Sequence, residues 1–234
     1  RVIIKRKNIP SSPIYFVNTE PSSPTVADAI KHTMFEQYVG ATAGFKLLYY
    51  AYTYGIDIDN TKFVWYDFDA YSVKFKRHMV ENWDGIDYTA FVKEWCAVNP
   101  EANIQLLKHV DKEWLNIVKQ FGGMDSWLDF WMQVKLCNHE FLTVDLVNNY
   151  SEITDKLKNN ASTFFWSSNI YSYVLLKVLS KPFTLERSFA DLITRLQQIN
   201  KCWFSGTDPN DNDLTCDVKW ILGYSTNDSI GTGI

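Results

Sequence analysis

Between residues 35 and 69 the chain changes its pattern repeatedly, and the order of those changes restricts the fold more than any other feature. Phe35–Val39 is a short apolar, aromatic segment that runs into Gly40-Ala41-Thr42-Ala43-Gly44. Phe45–Tyr54 reads as a helix of bulky residues and ends on Gly55, where a left-handed cap is expected. Lys62-Phe63-Val64-Trp65-Tyr66 has the aromatic and β-branched content of a buried strand and stops at Asp67-Phe68-Asp69. A helix is expected over 70–82, with Val73, Phe75, Met79 and Val80 on its apolar side. Strand, glycine turn, helix, strand, acid, helix is the opening of a doubly wound α/β sheet.

The rhythm is interrupted and then resumes. Residues 83–138 read as helical, punctuated by Trp95, Trp114, Trp127 and Trp131, with Gly122-Gly123 as a hinge. Strands are expected at 140–145 and 163–166, and helices at 148–158, 171–180 and 185–199. Cys202–Ser205 and Val218–Leu222 read as two further strands, joined by a segment rich in Asp, Asn and Pro that favours antiparallel pairing. The expected fold is therefore a doubly wound, mostly parallel sheet with a C-terminal antiparallel strand pair and a helical Trp-rich insert. Residues 1–33 form a Pro-rich lead-in, with one short edge strand at 14–17 and a helical turn at 28–34. The α/β domain spans 34–226, and 227–234 is a tail.

Composition narrows the function classes. Among 234 residues, 23 Lys and Arg stand against 27 Asp and Glu, so no broad basic surface exists to bind a nucleic-acid backbone. No apolar run approaches the roughly 20 residues of a membrane-spanning helix. Arg1–Asn8 is basic without the apolar stretch of a signal peptide, so a place in the cytoplasm or in a larger assembly is expected. The four cysteines never form a C-x-x-C pair, and His32, His78, His109 and His139 share no helix-face spacing, so no metal site is expected. The aromatic load is unusual, with 9 Trp, 13 Tyr and 15 Phe. It makes the 83–138 segment either packed core or a docking surface for the rest of a longer polypeptide or a partner subunit.

Open parallel sheets bind ligands beyond the carboxyl ends of their strands. That rule selects Gly40, Thr42 and Gly44 in the first turn, Asp67 after the second strand, Asp145, and Ser168 with Asn169. Glycines at the turn let a ligand approach the backbone and the helix amides. An acid about 20 residues further on is placed to accept from ribose hydroxyls. Asp69 and Asp145 can equally cap the helices that follow them.

This set resembles the class I S-adenosylmethionine-dependent methyltransferase family over 35–224, in the Gly40–Gly44 loop, Asp67, Asp145, Ser167-Ser168-Asn169 and the closing strand pair. The resemblance implies a seven-stranded sheet, with S-adenosylmethionine held by Gly40 and Gly44 and its ribose by Asp67. Tyr38 stands where that family has an acid, Thr42 where it has its middle glycine, and no Asn/Asp-Pro-Pro-aromatic motif follows Asp145. The catalytic base is not legible. The Asp67-Phe68-Asp69 triplet also resembles the nucleophile motif of haloacid-dehalogenase phosphohydrolases and the metal-binding motif of glycosyltransferases; both need Mg²⁺ or Mn²⁺ on two converging carboxylates. A non-catalytic interaction domain with a methyltransferase-like fold is the remaining reading.

Overall fold

The computed structural model describes residues 16, 33–100, 110–168, 170–171, 182–199, 201–207 and 213–218. Asn169, the helix expected at 171–180 apart from Tyr171, the strand expected at 14–17 apart from Phe16, and residues 219–234 lie outside them.

Six strands form one sheet in the order β3-β2-β1-β4-β5-β6. They are β1 (Gln37–Ala41), β2 (Lys62–Asp67), β3 (Asn138–Thr143), β4 (Ser162–Trp166), β5 (Lys201–Thr207) and β6 (Asp213–Asp217). The first five are mutually parallel, and β6 runs antiparallel to β5 at the edge. The chain is thus a doubly wound α/β domain. The strand paired with β5 is Asp213–Asp217, which begins in the segment expected as a connection; of the strand expected at 218–222 only Val218 is among the described residues. The described sheet has six strands where the resemblance implies seven.

Helices α1 (Lys46–Tyr54) and α2 (Ala70–Asn82) cover one face. Beneath them lie Tyr38, Phe63, Trp65 and Phe164, and the α1 residue Tyr50 reaches across to Ser205 on β5 at 2.9 Å. Helices α6 (Leu146–Thr154) and α7 (Pro182–Leu196) cover the other face, where Phe189 packs edge-on against Phe204 and Ser188 bonds the Val147 carbonyl at 2.5 Å.

The insert is α3 (Tyr88–Val98), α4 (Val110–Gln120) and α5 (Met124–Leu136). Trp95, Trp114, Trp127 and Trp131 are all buried; Trp114 and Trp127 gather with Trp83 around Phe45, the residue just before α1, and Trp131 packs behind them on Trp83 and Trp127. The Phe45 ring lies 4.7 Å from Tyr88 and 5.6 Å from both Trp114 and Trp127. Such pairs contribute about 0.5–1.5 kcal/mol each beyond their buried area. The indole N–H groups of Trp127 and Trp131 reach the carbonyls of Gly85 and Trp83. These Trp side chains are core, the first of the two readings of the segment. Among the described residues, helices α3–α5 expose the large apolar side chains of Val98, Leu115, Met132 and Leu136.

The insert also changes the strand count. The strand read at 140–145 is β3, the third strand, beginning at Asn138 and pairing with β2. Among the described residues, no helix is long and apolar enough to cross a membrane.

Candidate functional site

Winding reverses between β1 and β4, which are hydrogen-bonded neighbours. The chain leaves β1 into α1 on one face and leaves β4 towards α7 on the other. A crevice opens at such a point beyond the carboxyl ends of the strands. Thr42 follows β1 directly, and Ser167 and Ser168 follow β4.

Gly40 is not in the turn. It is the fourth residue of β1, flanked by Trp65 and Trp166. A side chain there would sit 2.9 Å from Trp166 Cε3 and 3.0 Å from the Leu47 methyl carbons. Its absence lets α1 and Trp166 close onto the sheet. Gly44 is the turn glycine proper, with φ +55°, a left-handed conformation that other residues adopt at a cost.

Thr42, at the place of the family's middle glycine, supplies a contact instead of a gap. Its hydroxyl donates to Asp67 Oδ2 at 2.7 Å, and its N–H bonds the Tyr66 carbonyl. Asp67 Oδ1 accepts from the Asp69 N–H at 3.0 Å. The Phe68 N–H also draws on this carboxylate, which is thus held by the turn on one side and by Thr42 on the other. Burial pushes the Asp67 carboxyl up to about 6, against the pull of the Asp69 N–H and the Thr42 hydroxyl. Phe68, the next residue, is 55% exposed, an aromatic face at the strand ends that the sequence reading passed over.

Asp69 turns away from Asp67. It caps α2, accepting from the N–H groups of Tyr71 and Ser72 at 2.8 and 3.1 Å. Asp145 caps α6, accepting from the Val147 N–H and the Asn148 amide. Because β2 lies between β3 and β1, Asp145 stands two strands away from the crevice. Ser168 adopts φ +58°, the one left-handed non-glycine residue among those described, at the mouth of the crevice. Ser167 is buried and its hydroxyl bonds backbone carbonyls of Ser168 and Ser205. Tyr38, at the place of the family acid, is core: it stacks on Phe63 and donates to the Gly55 carbonyl.

The structure thus brings Thr42, Gly44, Asp67 and Ser168 to one end of the sheet, with Gly40 packed beneath them and Asp145 apart. It also places Lys76 there, which sequence reasoning missed. Lys76 is 1% exposed, and its amine donates to the Gly44 carbonyl at 2.7 Å. The signal was available: residue 76 falls on the helical stripe of Val73, Met79 and Val80.

A polar groove of about 440 Å³ lies at the opposite, amino-terminal edge of the sheet, lined by Glu36, Gln37, Lys62, Glu140 and Lys158 among others. Its polar groups are largely spent on each other. Lys62 and Lys156 pair with Glu140, and the Gln37 amide is fixed between Lys158 and Thr163. Among the described residues no cluster of His, Cys, Asp or Glu could hold a metal ion. Compared with known proteins, the chain matches no family model, no curated protein and no solved structure.

Proposed function

We propose that this chain is a methyltransferase-like domain that binds S-adenosylmethionine in the crevice between β1 and β4. The carrying observation is Asp67: a partly buried carboxylate at the end of β2, one strand from the left-handed Gly44 turn, held in place by the Thr42 hydroxyl and the Asp69 N–H. Two vicinal ribose hydroxyls would donate to that carboxylate. Phe68 would offer its exposed ring to the adenine, a contact worth about 1–3 kcal/mol in base–aromatic stacking. The turn amides opening α1 would face the amino-acid end of the cofactor. Methyl transfer asks little more of a protein than in-line positioning, and no residue here is assigned as a general base.

A thermal-shift titration tests this. With a Kd of about 10 μM, 1 mM S-adenosylmethionine stabilises the chain by roughly 2.7 kcal/mol, and EDTA leaves the shift unchanged. Absence of any shift at millimolar ligand sinks the reading.

The non-catalytic alternative also has a specific observation in its favour, since Thr42 already engages the acid that the ribose would need. In that case the domain keeps the fold and lacks the cofactor. The phosphohydrolase and glycosyltransferase readings need Asp67 and Asp69 to converge on one cation, and their carboxylates are engaged by different elements. Mg²⁺-dependent phosphate release, or Mn²⁺-dependent binding of a nucleotide sugar, would revive them.

A further inference from the structure

Lys76 is the most heavily buried charged side chain described, and among the described residues it has no carboxylate partner. Its amine meets four things: the Gly44 carbonyl at 2.7 Å, the Met79 sulfur at 3.8 Å, and the ring faces of Trp65 and Phe45 at 4.9 and 5.6 Å. One arm of contacts is thus the turn itself, and the others are β2 and the body of α2. Ordinary surface lysines are excluded from such places because desolvating an ammonium is costly.

We propose that Lys76 is a positioning residue for the candidate cofactor turn, holding the Gly44 carbonyl back against α2 and thereby making the turn a pH-sensitive latch. The carbonyl of Gly44 has to go somewhere when the chain takes its left-handed step, and Lys76 is the donor that receives it. With that carbonyl drawn towards α2, the amides at the start of α1 are set relative to Thr42 and Asp67.

The pH dependence follows from where the amine sits. Burial pulls Lys76 down to about 7. If the turn opens and water reaches the amine, it returns to about 10.4. The open form therefore binds more protons between these values, and closure tightens as pH rises through that window. A neutral amine still donates to the carbonyl, and it escapes the desolvation cost that the ring faces of Trp65 and Phe45 offset only in part. Charged and titratable groups on the packed elements are Lys46 at the start of α1, Asp67 at the end of β2, His139 on β3 behind Trp65, Lys74 and Arg77 on α2, and Tyr88 behind Phe45. Asp67 and His139 change charge below the Lys76 window, burial holds Tyr88 well above its usual range, and Lys74 and Arg77 point elsewhere, to Asn99 and Phe141.

Hydrogen exchange of the full chain tests the latch between pH 7 and 9, with rates corrected for intrinsic chemistry. In the wild type the opening constant at residues 43–47 falls about tenfold per pH unit. In Lys76→Met, which keeps the apolar stem and removes the amine, these amides exchange faster and their opening constant does not change with pH. Lys76→Gln, a second variant in case the first does not fold, retains a donor and loses the pH dependence. Identical pH profiles in the wild type and either variant overturn the proposal. S-adenosylhomocysteine serves as the ligand probe, and this arm alone rests on the adenosyl reading: at pH 8 it binds Lys76→Met at least tenfold more weakly than the wild type. If it binds neither chain, the adenosyl reading fails, while the exchange profile still decides the latch. Equal binding to both folded chains overturns the positioning role.

Discussion

The hydroxyl of Thr42 donates to Asp67 Oδ2 at 2.7 Å, tying the end of β1 to the end of β2 across the turn that a ligand would contact. A hydrogen bond to a charged group contributes about 1.5–3 kcal/mol, and partial exposure places this one at the lower end. Thr42→Val keeps the shape and removes the donor. Urea unfolding should show a loss of about 1–2 kcal/mol at pH 8. The loss should shrink at pH 5, where Asp67, pushed up to about 6, is protonated. A loss that is the same at both pH values means the carboxylate is not what Thr42 stabilises.

Asp69 is the other half of the Asp-x-Asp triplet and does a different job. Its carboxylate takes two orphan N–H groups at the start of α2. Asp69→Ala should cost about 0.5–2 kcal/mol of stability, and Asp69→Asn much less, because Asn also caps well. Neither should alter adenosyl-ligand affinity. A metal-dependent activity lost in Asp69→Asn would contradict the cap assignment.

Gly40 is a packing residue, and its substitution is correspondingly readable. An alanine methyl would need Trp166 or Leu47 to move, and overpacking of this kind costs about 1–3 kcal/mol. Gly40→Ala should therefore lower the melting temperature. A stable Gly40→Ala chain that has lost ligand would instead put Gly40 at the ligand surface.

His139 gives the fold a second pH dependence. Trp65 Nε1 donates to His139 Nδ1 at 3.1 Å and Nε2 meets the Val134 carbonyl at 2.8 Å, so the partners fix a neutral ring. Burial lowers its pKa, with the Val134 contact opposing. The unfolded chain thus binds the proton more readily. The stability from the neutral ring is complete above about 6.5 and is lost as pH falls through the lowered value. His139→Gln can accept from Trp65 without titrating, so the stability gap between wild type and variant should narrow from pH 8 to pH 5. A constant gap would show that His139 does not titrate with folding.

The first βαβα unit was legible because its punctuation is local. Gly44, Gly55 and Asp69 end or start elements by their own backbone chemistry. What lay beyond was governed by distant contacts. The three insert helices stretch the crossover from α2 to β3 well past the usual length, so the place of Asn138–Thr143 in the sheet, and with it the distance of Asp145 from the crevice, is not legible locally. β6 is Asp-Leu-Thr-Cys-Asp, a polar edge strand whose pairing comes from backbone bonds to β5 and leaves little hydrophobic signal. Lys76 lies on the α2 stripe and is buried, but a lysine adds no apolar signal to that stripe. Thr42 looked like damage to a glycine motif until its hydroxyl was found on Asp67.

Isothermal titration calorimetry with S-adenosylhomocysteine, on the wild type and Asp67→Asn side by side at pH 8, tests the central claim most directly. Saturable binding to the wild type is expected, with an affinity lower by about 1.5–3 kcal/mol, roughly 10–150-fold, in Asp67→Asn with its fold intact. No heat with the wild type at millimolar ligand, or equal affinity for both chains, would contradict it.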